Sequence, residues 1–366
     1  MRVLIAPDRF ADTLSAVEAA RAIAAGWGRR APADDLEAVP MTDGGPGFCE
    51  ALHATLGGDL LAVTVPGPYG DPVPGTVLLA GETGYVEAAQ ACGLHLTAAG
   101  DVEQASSRGV GELVLAATRA GARSVVVGLA GVGTNDGGAG LLSALGAVCD
   151  VDGALDHGPA GLASVERVDV APAREAVGDV HMVAALDVDS PLLGLIGTTN
   201  VHGGRRGVPE ERKQAVDLTL ERLASAAGRK LASAKGAGAG GGLGYALMLL
   251  GAAPEPALPL VSETLALLER AQRADLVVTG EAAFDFSSRS GTVPYAVAEV
   301  AARALQPCIA LAGEVLVGAR EMRALGIESA YAVADLPGQQ PVTDHVADPA
   351  AGLAALAERV ARTWSR

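Results

Sequence analysis

Aromatic residues make up only 3% of these 366 residues, the cysteines number four, and basic residues are outnumbered by acidic ones. Each scarcity excludes something. Cys49, Cys92, Cys149 and Cys308 form no Cys-x-x-Cys pair and lie too far apart for a disulfide framework or a zinc ribbon, so they read as buried thiols. The 27 Lys and Arg against 43 Asp and Glu leave a formal charge of −16, the wrong sign for a nucleic-acid phosphate backbone. No apolar run approaches the ~18 to 20 residues of a membrane span. Met1 to Asp8 lacks the positive start and long apolar stretch of a secretory signal, so a cytoplasmic location is expected. A Walker-type G-x-x-x-x-G-K-[ST] and a G-x-S-x-G elbow are both absent, and the six histidines have no metal-ligand spacing.

Aliphatic residues and glycine are abundant instead. At 49% hydrophobic residues the chain has enough apolar surface for about two packed domains. Arg2–Ala6, Leu36–Met41, Ala274–Gly280, Cys308–Gly313 and Ser329–Ala334 are short apolar runs flanked by helical patterns such as 13–25 and 350–363. Strands buried on both faces of a parallel sheet have this pattern. They predict one five-stranded doubly wound sheet, split between the two ends of the chain. The middle differs: hairpin-like strands around 73–79 and 85–89 follow Pro66-Gly67-Pro68, and buried strands 124–129 and 180–186 flank a Gly-rich connection. The expectation is a discontinuous domain of residues 1–65 plus 259–366, with a second α/β domain inserted at 66–258.

Three features could carry chemistry. Gly128 to Gly140 (GLAGVGTNDGGAG) leaves a strand and enters a helix, so the N–H groups of Gly131, Gly133, Gly137 and Gly138 could face an anion at a helix N-terminus, with Asn135 and Asp136 at its centre. A tight turn capped by Asp136 explains the same pattern. A second run, Gly236 to Gly244 (GAGAGGGLG), contains G-x-G-x-x-G at Gly236, Gly238 and Gly241, but no strand precedes it and the region ~20 residues on holds only Glu263, beyond a Pro-rich loop, so a phosphate cradle or hinge fits it better. Thirdly, Asp8, Asp43, Asp187, Asp189, Glu281 and Asp285 all stand just past strand ends, where doubly wound sheets bind ligands. Arg9, Arg108, Lys235, Arg205, Arg206 and Arg289 sit near glycines and could neutralise an anion.

Taken together the motifs resemble the bacterial class I glycerate kinase family over almost the whole chain. The resemblance lies in IAPDRFADTLSA (5–16), TDGGPG (42–47), VTVPGPYGDPV (63–73), RGVGELV (108–114), GVGTNDGGAGLLSALGA (131–147), DVDSPLLG (187–194), GAGAGGGLG (236–244) and TGEAAFD (279–285). It implies a flavodoxin-like doubly wound parallel sheet with a second α/β domain inserted into it. It also implies ATP-dependent phosphorylation of D-glycerate at its 2-hydroxyl, with ATP and Mg²⁺ as cofactors, a small hydroxy acid as partner and a homodimer as the assembly it admits. Asp8, Asp43, Asp187 and Asp189 then occupy catalytic positions, the last two as metal ligands. Arg9, Gly44, Gly45, Arg108, Gly131, Thr134, Asn135, Asp136, Gly137, Gly138, Arg206, Gly238, Gly240, Gly241, Glu281 and Asp285 occupy phosphate- or substrate-binding positions.

The chain departs from the family pattern at several places. Ala11 and Thr292 stand where lysines are usual, Pro46 where a glutamate is common, and Ala130 and Val132 where Gly and Ser occur. Arg205-Arg206-Gly207 replaces a Gln-Lys-Gly segment. Losing two lysines from a phosphoryl-transfer site could cost ~3 kcal/mol of transition-state stabilisation. A catalytically impaired relative that binds a small anion in a regulatory role is therefore the alternative reading.

Overall fold

The structure is a computed structural model that describes residues 1–98, 100–285, 291–336 and 348–365. In chain order its strands are β1 (Arg2–Ile5), β2 (Asp35–Ala38), β3 (Asp59–Pro66), β4 (Pro72–Ala80), β5 (Thr83–Glu87), β6 (Ser124–Gly128), β7 (Val148–Cys149), β8 (Val168–Asp169), β9 (His181–Leu186), β10 (Ala253–Pro256), β11 (Leu276–Phe284), β12 (Cys308–Val315) and β13 (Ser329–Ala332). The chain divides into two compact units. Unit 1 comprises Met1–Asp43, Glu50–Gly57 and Leu258–Arg366, and unit 2 comprises Gly44–Cys49 and Gly58–Ala257.

Unit 1 carries the expected five-stranded sheet, in the order β13-β12-β11-β1-β2 with every pair parallel. Numbered within the unit this is 2-1-3-4-5, the flavodoxin-type order, whose topological switch point lies between β1 and β11. Alternation along the strands shows why both faces are buried. Val3, Ile5, Leu276, Val278, Ile309 and Leu311 join one apolar cluster with helices Ala16–Arg30 and Pro349–Trp364, while the intervening Leu4, Val277 and Ala310 are equally buried outside that cluster. Helix Ala16–Arg30 starts at a capping box in which Ser15 and Glu18 satisfy each other's backbone N–H. It packs so closely on Pro349–Trp364 that a Cβ on Gly26 would sit 1.9 Å from the Ala354 carbonyl oxygen. Trp27 is fully buried in this core, its Nε1–H donating to Asp34 at 2.9 Å.

Unit 2 holds a mixed six-stranded sheet, β10-β9-β6-β5-β4-β3, parallel from β10 to β5 and antiparallel from β5 to β3. The hairpin-like stretch expected near 73–89 is the antiparallel part. The first crossing between the units falls at 43–44, with a return for 50–57, whereas 65–66 was the sequence expectation; the last falls at 257–258 beside the expected 258–259. The difference has a physical origin. Asp59–Pro66 pairs along its whole length with β4, so it belongs to the inserted sheet, and its half-exposed alternation is that of an edge strand. Among the described residues no helix is long and apolar enough to cross a membrane.

Candidate active site

In unit 1 the carboxylates gather at the switch point. Parallel pairing continues past the formal end of β2, with Val39 N–H donating to Ile5 O and Met41 N–H to Pro7 O, which carries Thr42 and Asp43 forward alongside the end of β1. On the other side Asp8 N–H donates to Gly280 O at 2.8 Å, and the buried Thr279 hydroxyl donates to Ala6 O at 2.9 Å. Asp8 therefore feels the charges of Asp43 and Glu281. Burial first, then Asp43 and more weakly Glu281, push the Asp8 carboxyl up to about 8 against the opposing pull of the Arg9 N–H, which donates to it at 2.8 Å. The Arg9 side chain turns away onto its own loop, meeting Ala11 O at 3.2 Å and Asp12 at 3.5 Å. Ala11 holds a φ of 48° in that loop. Asp285 follows the end of β11, Thr292 takes the N-cap position of helix Val293–Arg303, and Arg289 lies outside the described residues.

Unit 2 contains the Gly-rich loops, and its centre is Asp136, fully buried. Ser107 donates to Asp136 Oδ2 through both N–H and hydroxyl at 2.8 Å, Gly140 N–H donates to the same oxygen at 3.2 Å, and Gly138 N–H to Oδ1 at 3.0 Å. Leu141 N–H donates in turn to Ser107 Oγ at 3.1 Å. The donors that open helix Ala139–Ala144 are thus engaged by the loop's own carboxylate, and Gly137 N–H is engaged by Gly241 O at 3.0 Å. Burial still raises the Asp136 pKa, with these hydrogen bonds acting in the opposite direction. The second Gly-rich run locks onto the first. Gly240, Gly241 and Gly242 hold φ of 56°, 68° and 98°, a left-handed stretch open to L-residues only at a cost, and a Cβ on Gly241 would lie 1.9 Å from Thr134 O. Gly238 N–H donates to Ser190 O, so this run is packed against protein on both sides.

Beside these loops a cavity of about 60 Å³ is lined by Leu94, Gly131, Val132, Asp187, Val188, His202, Arg205 and Arg206. Arg206 is 8% exposed; its Nη1 donates to Thr198 Oγ1 at 2.9 Å and Asn135 Oδ1 at 3.4 Å, and its Nε to Val132 O at 3.3 Å. Asn135 Nδ2 donates to Thr199 Oγ1 at 2.9 Å. Asp187 projects from the end of β9 at the cavity, while Asp189 pairs with Lys235 at 2.9 Å in the open. Arg108 is engaged elsewhere, with Asp156 at 2.8 Å, Ser143 at 3.2 Å and Glu112 at 3.6 Å. Gly44 and Gly45 are buried in the turn before helix Phe48–Leu56.

Sequence reasoning does not single out Ser107, Thr198, Thr199, His202 or Glu87. Ser106-Ser107 before a helix is a capping signal that could have found the first. Glu87, at the end of β5, is buried with a raised pKa, first through burial; it accepts from Gln90 Nε2 and from the N–H groups of Gly47, Phe48 and Cys49, which open helix Phe48–Leu56. It thereby holds the turn that contains Gly44 and Gly45.

Residues 3–365 match the sequence model of the Glycerate kinase family. The chain is 34% identical to the glycerate kinase of Bacillus subtilis (strain 168), over 94% of this chain and 92% of that protein. It is 35% identical to the glycerate 2-kinase of Escherichia coli (strain K12), over 91% and 90%. The crystal structure of a protein assigned as glycerate kinase 2 from Salmonella typhimurium LT2 superposes with a TM-score of 0.83 at 32% identity, covering 99% of this chain and 98% of that one.

Proposed function

The chain belongs to the glycerate kinase family, and on that premise we propose that it transfers a phosphoryl group from ATP to the 2-hydroxyl of D-glycerate, giving 2-phosphoglycerate. The observation that carries the reading is the family match over residues 3–365, joined to carboxylates at the switch point of a flavodoxin-type sheet. Phosphoryl transfer asks a protein for positioning and charge screening, and for one group to receive the proton of the attacking hydroxyl. A proton acceptor works best when its pKa lies near the working pH. Asp8, raised to about 8 by its burial and by Asp43, meets that requirement, and we assign it this role with Asp43 and Glu281 setting its proton affinity.

Among the described residues no three acidic, histidine or cysteine side chains form a metal cage. Magnesium that arrives with a nucleotide needs only one or two protein carboxylates, since phosphates and waters complete its shell. Asp187 suits such a role; Asp189 could join it by leaving its exposed pairing with Lys235, which holds little energy. Bound there, the ion would screen phosphate charge.

The test incubates the purified protein with MgATP and a panel of hydroxy acids, following ADP release and identifying the product by mass and phosphorus NMR. Glycerate-dependent ADP release with a 2-phospho product is expected, with kcat/KM rising towards about pH 8. ATP binding without turnover of any acid would replace this reading by the second one, an impaired anion-binding relative, which Ala11 and Thr292 favour. A 3-phospho product would overturn the position of transfer alone.

A further inference from the structure

Helices Ala257–Thr264, Leu267–Arg273 and Val293–Arg303 wall a groove of about 850 Å³ whose lining residues run from Leu258 to Arg303, so it lies wholly within unit 1. Leu258 and Leu268 belong to its apolar lining, and Glu263, Glu269 and Glu299 stand around it with Arg303. Glu263, Glu269 and Arg303 are exposed, and among the described residues none of the three makes an ion pair or a side-chain hydrogen bond. Opposite charges thus share one groove without pairing inside it.

Two residues past Arg303 comes Leu305, which carries two penalties. Its φ of 58° is disfavoured for an L-residue, and its side chain is 90% exposed. Glycine would remove both, and the hydrogen bonds of this helix end favour it. A leucine kept in water on a strained backbone adds nothing to the packing of its own chain. At the end of a helix that lines an apolar groove, it has the form of a plug.

We propose that this face of unit 1 binds a second copy of the chain, with Leu305 of each protomer entering the groove of the other. A two-fold contact pairs one patch with itself, so the patch must carry both plug and socket and both signs of charge. This one does: Leu305 matches Leu258 and Leu268, and Arg303 matches Glu263, Glu269 and Glu299. The charges also select this occupant. A segment bearing only cations would suit the glutamates but set like charge against Arg303, whereas a second copy brings one guanidinium to each groove together with its own leucine.

Sedimentation velocity on the full chain, from about 1 to 300 µM and at low and high salt, tests it. The native chain should form a dimer with a dissociation constant of about 100 µM or tighter, weakening as salt rises because exposed charges pair across the contact. Leu305→Gly and Arg303→Glu should each weaken the dimer by about tenfold or more. Leu195→Ser, which removes an equally exposed leucine of unit 2, should leave it within about threefold. Below the dissociation constant Leu305→Gly only relieves its strained backbone, so weaker association by a chain that resists urea better separates lost docking from misfolding. A native chain that stays monomeric to the top of that range overturns the proposal, as does a dimer that Leu305→Gly leaves intact or that Leu195→Ser weakens equally. Assembly beyond a dimer would mean that the contact is not two-fold, and the proposal fails there too.

Discussion

Replacing Asp136 by alanine should open the Gly-rich loop of unit 2. The substitution leaves three backbone N–H groups, those of Ser107, Gly138 and Gly140, without an acceptor in a fully buried site, while the Ser107 hydroxyl can rotate to find another partner. A buried donor left unpaired costs about 1 to 3 kcal/mol. Taking the low end for each, because removing a desolvated carboxylate returns part of the cost, the loop loses about 3 kcal/mol. At about 1.4 kcal/mol per decade, that is roughly a hundredfold rise in the population of open states. Hydrogen exchange read by mass spectrometry on peptides spanning 136–144 measures it directly, and Asp136→Asn, which keeps one acceptor oxygen, should fall between. Acceleration of less than about threefold in Asp136→Ala would refute the reasoning, since it would mean that the carboxylate is not what satisfies these donors.

Leu305 sits at φ 58° and 90% exposed just past helix Val293–Arg303, where Leu305 N–H donates to Ala302 O and Gln306 N–H to Ala301 O, a Schellman end that favours glycine. Leu305→Gly should therefore stabilise unit 1 by about 1 kcal/mol in urea denaturation, and no shift in midpoint would contradict this. Asp8→Asn should stabilise the ligand-free protein with a pH signature: the folded state of the native chain holds the Asp8 proton more tightly than the unfolded one, so native stability falls as pH climbs from the ordinary value of 3.8 to about 8. The gap between variant and native should widen over that window, and parallel curves would dismiss the raised pKa. Gly241→Ala, with both a φ of 68° and a carbonyl 1.9 Å from the new methyl group, should cost at least about 2 kcal/mol by thermal unfolding, and a neutral outcome would deny the tight contact between the two loops.

The parallel sheet of unit 1 is legible in the sequence because runs such as Cys308–Gly313 are apolar on both faces, which a strand with one face in water would not be. Helix Phe48–Leu56 is legible for the complementary reason, an apolar stripe opening after a Gly-Pro-Gly turn. β3 is not, because an edge strand with half its residues exposed looks like a loop until its partner is known. At the site, the strand-end position of Asp8 and Asp43 can be read directly, whereas the raised pKa of Asp8 depends on its burial and on how far the pairing of β2 with β1 continues. Asp136 shows the deeper limit. A glycine-rich loop beside a helix advertises N–H donors, but only the approach of Ser107, 29 residues earlier, shows that they point at the loop's own carboxylate. Nor does a pair of adjacent arginines reveal which one is buried: Arg206 is, and Arg205 is exposed.

The scarcity of aromatic residues leaves the chain with two tryptophans, Trp27 and Trp364, and both belong to unit 1. Trp27 is wholly shielded and hydrogen-bonded to Asp34, while the Trp364 indole donates to the Tyr331 hydroxyl near the C-terminal end of its helix. Tryptophan emission, excited where the five tyrosines do not absorb, is therefore a single-unit reporter. A tryptophan emission shift on adding nucleotide or acid registers what happens around the flavodoxin-type sheet, and the unit that holds Asp136 and Arg206 contributes no tryptophan until one is engineered into it.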